Sequence, residues 1–528
     1  MAMVCSLSRR ALFRLGLLGS AGFLASSLGY RWWRERTQPL LTAEPFQRPL
    51  QIPPVLQPVR RDATTDYYEL TLKRAHLPYF PKQGTEMWSY NNRVPGPTIR
   101  QVGGSDPTLR RQSVVRVINH LDEDKKGRPI PTVLHLHGMG SLPQYDGYTT
   151  DYIQPQQFKD YYYPNDRVGT LWYHDHVMDF TARNINMGLA GFYLVEDPHE
   201  AELNLPQGEY DVPLLIQRKQ FSNQGQLLLN RAKDYADLEG EYTLVNGIPY
   251  PYFPVARRKY RFRLLNASPV RHFQVALSRS AEELTSGEPL VVISTDGGLL
   301  AEPVTLASSD QQPLPLGIGE RYDVIIDFAR YALGDQVYLH RVLPNVDPTG
   351  RAEAGAKFQK ILRFDISQSD ALAPNEDELP SQLRTIEPLV TTAEADSLTQ
   401  RTFVFDREKT GDRRWTINQK VFNPQRIDAS PQSGSVEVWT LVNPRDDVLH
   451  PVHLHLAEGQ LLTRNGYPPR PYERGWKDVF VLGPQETLRV AFRFDSHVLD
   501  QISGLFMMHC HQLVHEDRGM MGQFKVVI

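Results

Sequence analysis

The stretch His509-Cys510-His511-Gln512-Leu513-Val514-His515, followed by Met520, decides how this chain is read. Cys510 is one of two cysteines, and the other is Cys5. A soft thiolate, imidazoles and a thioether in one short segment form a ligand set for copper, whose usual members are two His, one Cys and a weak axial Met. Cys510, His515 and Met520 supply three of these, so a second imidazole must come from elsewhere. On an extended strand, side chains alternate faces, so the flanking His509 and His511 point away from Cys510. They require a second metal centre on the opposite face.

The other histidines fit that requirement. His135-Leu136-His137, His174-Asp175-His176 and His450-Pro451-Val452-His453-Leu454-His455 are further clusters, and ten of the sixteen histidines fall in the four clusters. Each cluster holds a His-x-His pair, which on a strand places two imidazoles on one face. Four pairs supply eight imidazoles, enough for three metal ions. His450 and His515 are left over, and both suit the site of Cys510. Zinc also binds His and Cys, but its structural sites favour paired cysteines. One thiolate, many imidazoles and an axial Met suit copper better.

The chain resembles three-domain multicopper oxidases of the laccase family, and is most similar to the bacterial spore-coat laccase and bilirubin oxidase branch. The matching motifs are HLHG at 135–138, LWYHDH at 171–176, HPVHLH at 450–455 and HCHQLVHEDRGMM at 509–521. Lesser matches are NNRVPGPTIR at 91–100, EYDVPLLI at 209–216, DGGLL at 296–300 and GERYDVIIDF at 319–328. The resemblance implies four coppers. A type 1 ion would be held by His450, Cys510, His515 and axial Met520. A type 2 ion would take His135 and His453. A type 3 pair would take His137, His174, His176, His455, His509 and His511. It also implies an acid at Glu516 that relays protons, and a second acidic position near the type 2 ion at Asp146.

Length and composition agree with three domains. The chain has 528 residues, 41% hydrophobic, with 40 prolines, 36 glycines and a net charge of −3. That near-neutral balance gives no reason to expect nucleic acid as a partner. A weak repeat runs through Ser113–Asn119, Lys259–Asn266 and Ser435–Asn443, each alternating apolar and polar residues and ending in Asn. Period-two alternation marks half-buried strands. A His-rich strand follows the first and third Asn; only His272 follows the second. The expected fold is all-β: three cupredoxin-like Greek-key β-sandwich domains at 61–205, 206–367 and 401–528, with copper ligands in the first and third. The middle domain then acts as a spacer, and the three-ion cluster lies between the outer two.

Residues 1–36 read as an export segment. Ser8-Arg9-Arg10-Ala11-Leu12-Phe13 resembles a twin-arginine motif, and the apolar run Leu15–Tyr30 is short for a membrane span. An uncleaved anchor is the alternative, since no clean A-x-A site follows. Either way the protein is expected outside the cytoplasm, as a monomer. Removal of the segment would leave Cys510 without a disulfide partner. Residues 37–60, with six prolines, read as an extended arm, and 368–400, with seven acidic residues, as a linker. Lys159–Asp166 reads as an irregular, tyrosine-rich surface stretch.

The chemistry implied is one-electron oxidation of a phenol or aromatic amine coupled to reduction of O₂. His450 or His515 is expected to expose an edge to the reductant. Asp175 is expected to be structural, Met507 and Met508 to be core, and His76, His272 and His497 to be ordinary. Bilirubin and Cu(I) are alternative reductants. Val448, two residues before His450, stands where fungal bilirubin oxidases have Trp, and no Met-rich run of a copper-tolerance oxidase is present. A structural cupredoxin protein without copper is the alternative from another class, although such proteins have lost ligands that this chain keeps.

Overall fold

The computed structural model describes residues 43–80, 83–104, 106, 108–124, 126–228, 240–283, 288–306, 313–343, 358–368, 378–495 and 503–528. The export segment, Cys5, His497, the start of the arm and part of the acidic stretch lie outside these residues. Six sheets stack into three two-layer sandwiches. In the first, a sheet holding Thr65–Phe80, Gln112–Asn119 and Phe158–Tyr163 faces one holding Ile99–Val102, Ala190–Glu196, Gly169–Asp175 and Leu134–His137. The middle sandwich sets a seven-stranded sheet, including Asp211–Lys219, Lys259–Asn266 and Arg321–Asp327, against a five-stranded one. In the third, a sheet with Thr399–Arg407 and Val436–Asn443 faces one of Val479–Leu482, His450–Leu454, Gly504–Cys510 and Met521–Val526. Each sandwich has its own apolar core. A smaller fourth core joins all three, with Trp172 and Phe192, Leu215 and Leu265, and Leu513 and Val514.

The sequence repeat is a structural repeat. Each Asn-terminated strand pairs in parallel with the opening strand of its sandwich: 112–119 with 65–72, 261–266 with 211–216, and 437–442 with 399–404. The terminal Asn then makes the same three bonds each time. Asn119 donates to the carbonyls of Ile130 (2.9 Å) and Ile153 (3.0 Å) and accepts from the Leu121 N–H. Asn266 donates to Arg271 and Leu316 and accepts from Ser268. Asn443 donates to Val448 (2.7 Å) and Gly483 (2.8 Å) and accepts from Arg445. A short amide that satisfies a turn N–H and two carbonyls suits a buried strand end. In the outer sandwiches one tied carbonyl lies just ahead of a histidine strand, so the amide also fixes where that strand begins.

Two expectations need revision. Phe158–Tyr163 is a strand, paired with 113–118, and Tyr161 and Tyr163 are core residues. Aromatic side chains at every second position favour a half-buried strand over a loop. Within the acidic stretch, Leu383 and Ala395 are buried, and the Leu383 N–H bonds the Ala301 carbonyl, so apolar residues there pin it to the protein. The described part of the arm runs over the first two sandwiches: Leu50 bonds Tyr252 and Leu56 bonds Thr98 through their backbones.

Asn443→Ala leaves two half-buried carbonyls and one N–H without their partner. It should destabilise the protein by about 2–3 kcal/mol, read as a lowered midpoint of chemical unfolding of the metal-free protein. An unchanged midpoint would refute the anchoring role.

Candidate metal centre

Strand register assembles the site. Leu134–His137 runs antiparallel to Gly169–Asp175, with His135 opposite His174 and His137 opposite Trp172. Opposed residues share a face, so three imidazoles and an indole line one face of the first sandwich. In the third, His453 lies opposite His509 and Val452 opposite Cys510. Cys510 therefore enters the apolar core with Val452, Leu454 and Met508, while His509 looks out the other way. His176, His455 and His511 each sit one residue past their strands, which end at Asp175, Leu454 and Cys510. Strict alternation thus accounts for His509 but not for His511. The four His-x-His pairs still hold their ring centres 5.7, 6.0, 5.0 and 5.4 Å apart.

All eight of these rings are buried and interleave across the boundary between the first and third sandwiches. His135 stacks on His455 at 3.8 Å and His137 on His453 at 3.6 Å. The bonds on their outer nitrogens set their tautomers. His135 Nδ1 meets the Asp146 carbonyl, His453 Nδ1 the Asp478 carbonyl, His174 Nδ1 the Asp175 carbonyl and His455 Nδ1 the Asp146 carboxylate. Those nitrogens carry the protons, so the Nε2 lone pairs face inward. His137 is inverted: its Nε2 bonds Asp478 at 2.9 Å and its Nδ1 has no protein partner. Burial, aided by neighbouring rings, drives His137, His174, His176, His453, His455 and His511 well below the ordinary imidazole range, and His135 down to about 3. Neutral rings then bring lone pairs together. Nε2 of His135 and His453 are 3.4 Å apart, and Nε2 of His455 and His509 are 3.3 Å apart. For His135 and His453, whose Nδ1 protons go to carbonyls, the two Nε2 lone pairs face each other and call for a cation between them. Ligand atoms within 4.8 Å of one another occur in the groups His135/His453/His455, His135/His137/His174 and His176/His455/His509.

The second cluster is smaller. Cys510 Sγ lies 3.4 Å from His450 Nδ1 and 3.6 Å from His515 Nδ1, and those nitrogens are 3.2 Å apart. A metal about 2.0 Å from nitrogen and about 2.3 Å from sulfur, at trigonal angles, would set its ligands about 3.5–3.7 Å apart. The match is close. Met520 is buried in the same core; its carbonyl accepts from the Cys510 N–H (3.1 Å) and its N–H donates to the His515 carbonyl (2.9 Å). Burial raises the Cys510 thiol well above its usual range, so a bound cation is what would hold it as thiolate. Contrary to expectation, neither His450 nor His515 exposes an edge: they are 0% and 1% accessible, and Trp415 stacks on His515 at 3.8 Å.

The acids fall into distinct roles. Glu516 is buried between the rings, 3.6 Å from His176 Nε2 and 3.0 Å from His509 Nδ1, but off the hydrogen-bond direction, so neither oxygen is bonded. Asp146 touches two rings through its carbonyl and one carboxylate oxygen, and burial raises its carboxyl. Asp175 is structural: Thr132, Val133, Val177 and Asn184 donate to it. Met507 and Met508 are core. Asp478 and Trp172, which packs 4.2 Å from His174, were not foreseen, because neither stands at a ligand spacing.

Family models described as multicopper oxidase match residues 73–200 and 392–528. The chain is 35% identical to a bilirubin oxidase of Albifimbria verrucaria, over 92% of this chain and 81% of that protein. The chain is a member of the multicopper oxidase family. A laccase of Bacillus subtilis is 31% identical, over 91% of this chain and 98% of its own. The crystal structure of a laccase from Pediococcus acidilactici superposes with a TM-score of 0.77 at 29% identity, covering 93% of this chain and 96% of that one. The buried His and Cys clusters are those expected of a multicopper oxidase.

Imidazole burial generates a pH dependence in the metal-free multicopper oxidase. His135 and His450 fall from 6.5 to about 3. The unfolded chain takes up protons below about pH 6.5 and the fold does not, so the stability these rings permit is full above that value and is lost as pH falls toward 3. The unfolding temperature of the metal-free protein should drop steadily between about pH 7.5 and about pH 5. A flat profile would contradict neutral burial of the rings.

Proposed function

We propose that this multicopper oxidase is laccase-like: it removes single electrons from phenols or aromatic amines at the Cys510 cluster and reduces O₂ to water in the histidine cleft. The observation that carries this is the placement of Cys510 and His509. They are adjacent in sequence, yet Cys510 faces His450 and His515 while His509 faces His176 and His455. One stretch of backbone joins the two clusters through covalent bonds. His450, Cys510, His515 and Met520 would hold a type 1 ion, His135 and His453 a type 2 ion, and the six other rings a type 3 pair. Copper bound there supplies one-electron acceptance at the thiolate and reduction of dioxygen in the cleft.

The remaining roles belong to the chain itself. The imidazoles are pre-oriented by Asp146, Asp175 and Asp478, as metal-binding rings commonly are by their outer hydrogen bonds. Burial shields the cleft from bulk water. Glu516, unbonded and buried against two rings, is placed to deliver protons that dioxygen reduction consumes; Asp146 is a second relay, on the other side. For the reductant, the 35% identity to a bilirubin oxidase keeps bilirubin as a second reading, against which stands Val448. The arginine pair Arg9-Arg10 supports export in a folded state.

Oxygen uptake by copper-loaded protein with a phenol, an aromatic amine, bilirubin and Cu(I) tests the reading. A blue protein that consumes O₂ fastest with phenols or amines is expected; a colourless, inert one would favour the structural alternative. Met520→Leu should raise the type 1 potential in a redox titration, because a thioether donor is lost. Glu516→Gln should slow turnover by about 10²-fold while leaving anaerobic bleaching of the blue band at its normal rate.

A further inference from the structure

Among the described residues the middle sandwich supplies none of the clustered histidines, but it reaches the cleft through Arg321. Arg321 is fully buried, and its guanidinium contacts all three sandwiches. Nε donates to the Thr170 carbonyl of the first (2.8 Å). Nη1 and Nη2 donate to the carbonyls of Gly319 and Asp296 in the middle one (3.2 Å each). The same two nitrogens grip both oxygens of Asp478 in the third, at 2.6 Å each. These bonds use every N–H that a guanidinium has. Asp478 in turn receives His137 Nε2 on its carboxylate and His453 Nδ1 on its carbonyl. The Asp478 carboxylate lies within 4.8 Å of ligand atoms of His137 and His453, but both its oxygens accept from Arg321 and Oδ1 also meets His137, which suits an orienting group better than a metal ligand.

The backbone makes room for this contact. Gly138, next to His137, has φ +99°, and a Cβ there would lie 2.8 Å from Arg321 Nη2 and 3.1 Å from Asp478 Oδ2. Gly319, with φ +85°, lies against the ring of His511, which a Cβ would approach to 3.1 Å. Lys477, beside Asp478, is buried and paired to Asp296 and Glu320, so two successive residues of the third sandwich are locked to the middle one.

We propose that Arg321 is a positioning residue for the histidine cleft. By clamping Asp478 it holds the His137 proton on Nε2, turns Nδ1 toward the cleft and keeps the stacked His137–His453 pair in register. A lysine offers a point charge without the fork, so it cannot hold both carboxylate oxygens in a fixed plane. The inference rests on the reading that the cleft binds copper, and one experiment separates the two.

Wild type, Arg321→Lys and the isosteric Asp478→Asn are each loaded with copper. Metal content, the blue absorption of the thiolate ion and the electron paramagnetic resonance spectrum are then recorded. Wild type without cleft copper would defeat the functional reading itself. If wild type is loaded, Arg321→Lys should keep the blue band, which reports a folded third sandwich, yet bind cleft copper at least about tenfold more weakly and show an altered non-blue copper signal. A merely structural loss would weaken both sites together, and that result, or a variant matching wild type at the cleft, would overturn the proposal. Should Arg321→Lys not fold, Asp478→Asn decides by the same comparison.

Discussion

Everything about the outer sandwiches follows from holding uncharged imidazoles with their lone pairs turned toward one another. Such an arrangement is unfavourable in a dry interior unless a cation occupies the middle. The protein imposes it with outer hydrogen bonds that fix tautomers, and with carbonyls and carboxylates that are themselves buried. Metal binding then relieves a tension that the fold creates, so affinity and architecture are coupled. The boundary between the first and third sandwiches is where that coupling acts, since His135 stacks on His455 and His137 on His453 across it.

The buried His and Cys clusters were legible in the sequence because metal chemistry restricts both residue type and spacing. His-x-His on a strand and a Cys between two His are patterns with little room for alternatives. The strand-ending Asn residues were legible for a similar reason: alternation with a terminal amide repeats three times. What escaped notice acts over long sequence separations. Asp478 reaches His137 over 341 positions, and Arg321 reaches Asp478 over 157; no local pattern announces either. Tyr161 and Tyr163 lie in a stretch whose polar and tyrosine-rich composition suggests a surface loop, while their alternate positions make it a strand. The burial of His450 and His515 was missed because nothing in the sequence places the Trp415 ring over His515.

The middle sandwich is therefore more than a spacer. Its GERYDVIIDF segment carries Arg321, and Gly319, which opens that segment, packs on the ring of His511. The third sandwich is held to the first as well: Asp517 accepts the N–H groups of Thr181 and Ala182 at the start of a short helix, and Tyr148 donates to Gln523. The first N–H groups of a helix have no partner within it, so a carboxyl that accepts two of them ties the two halves in alignment.

The division of the cleft also dictates an order of assembly. Four rings belong to residues 135–176 and four to 453–511, so during synthesis the first half exists long before its complement. A metal ion that arrives before that complement meets four imidazoles, where the docked sandwiches present eight. The complete nest therefore exists only once the last strands have emerged and the two halves have docked.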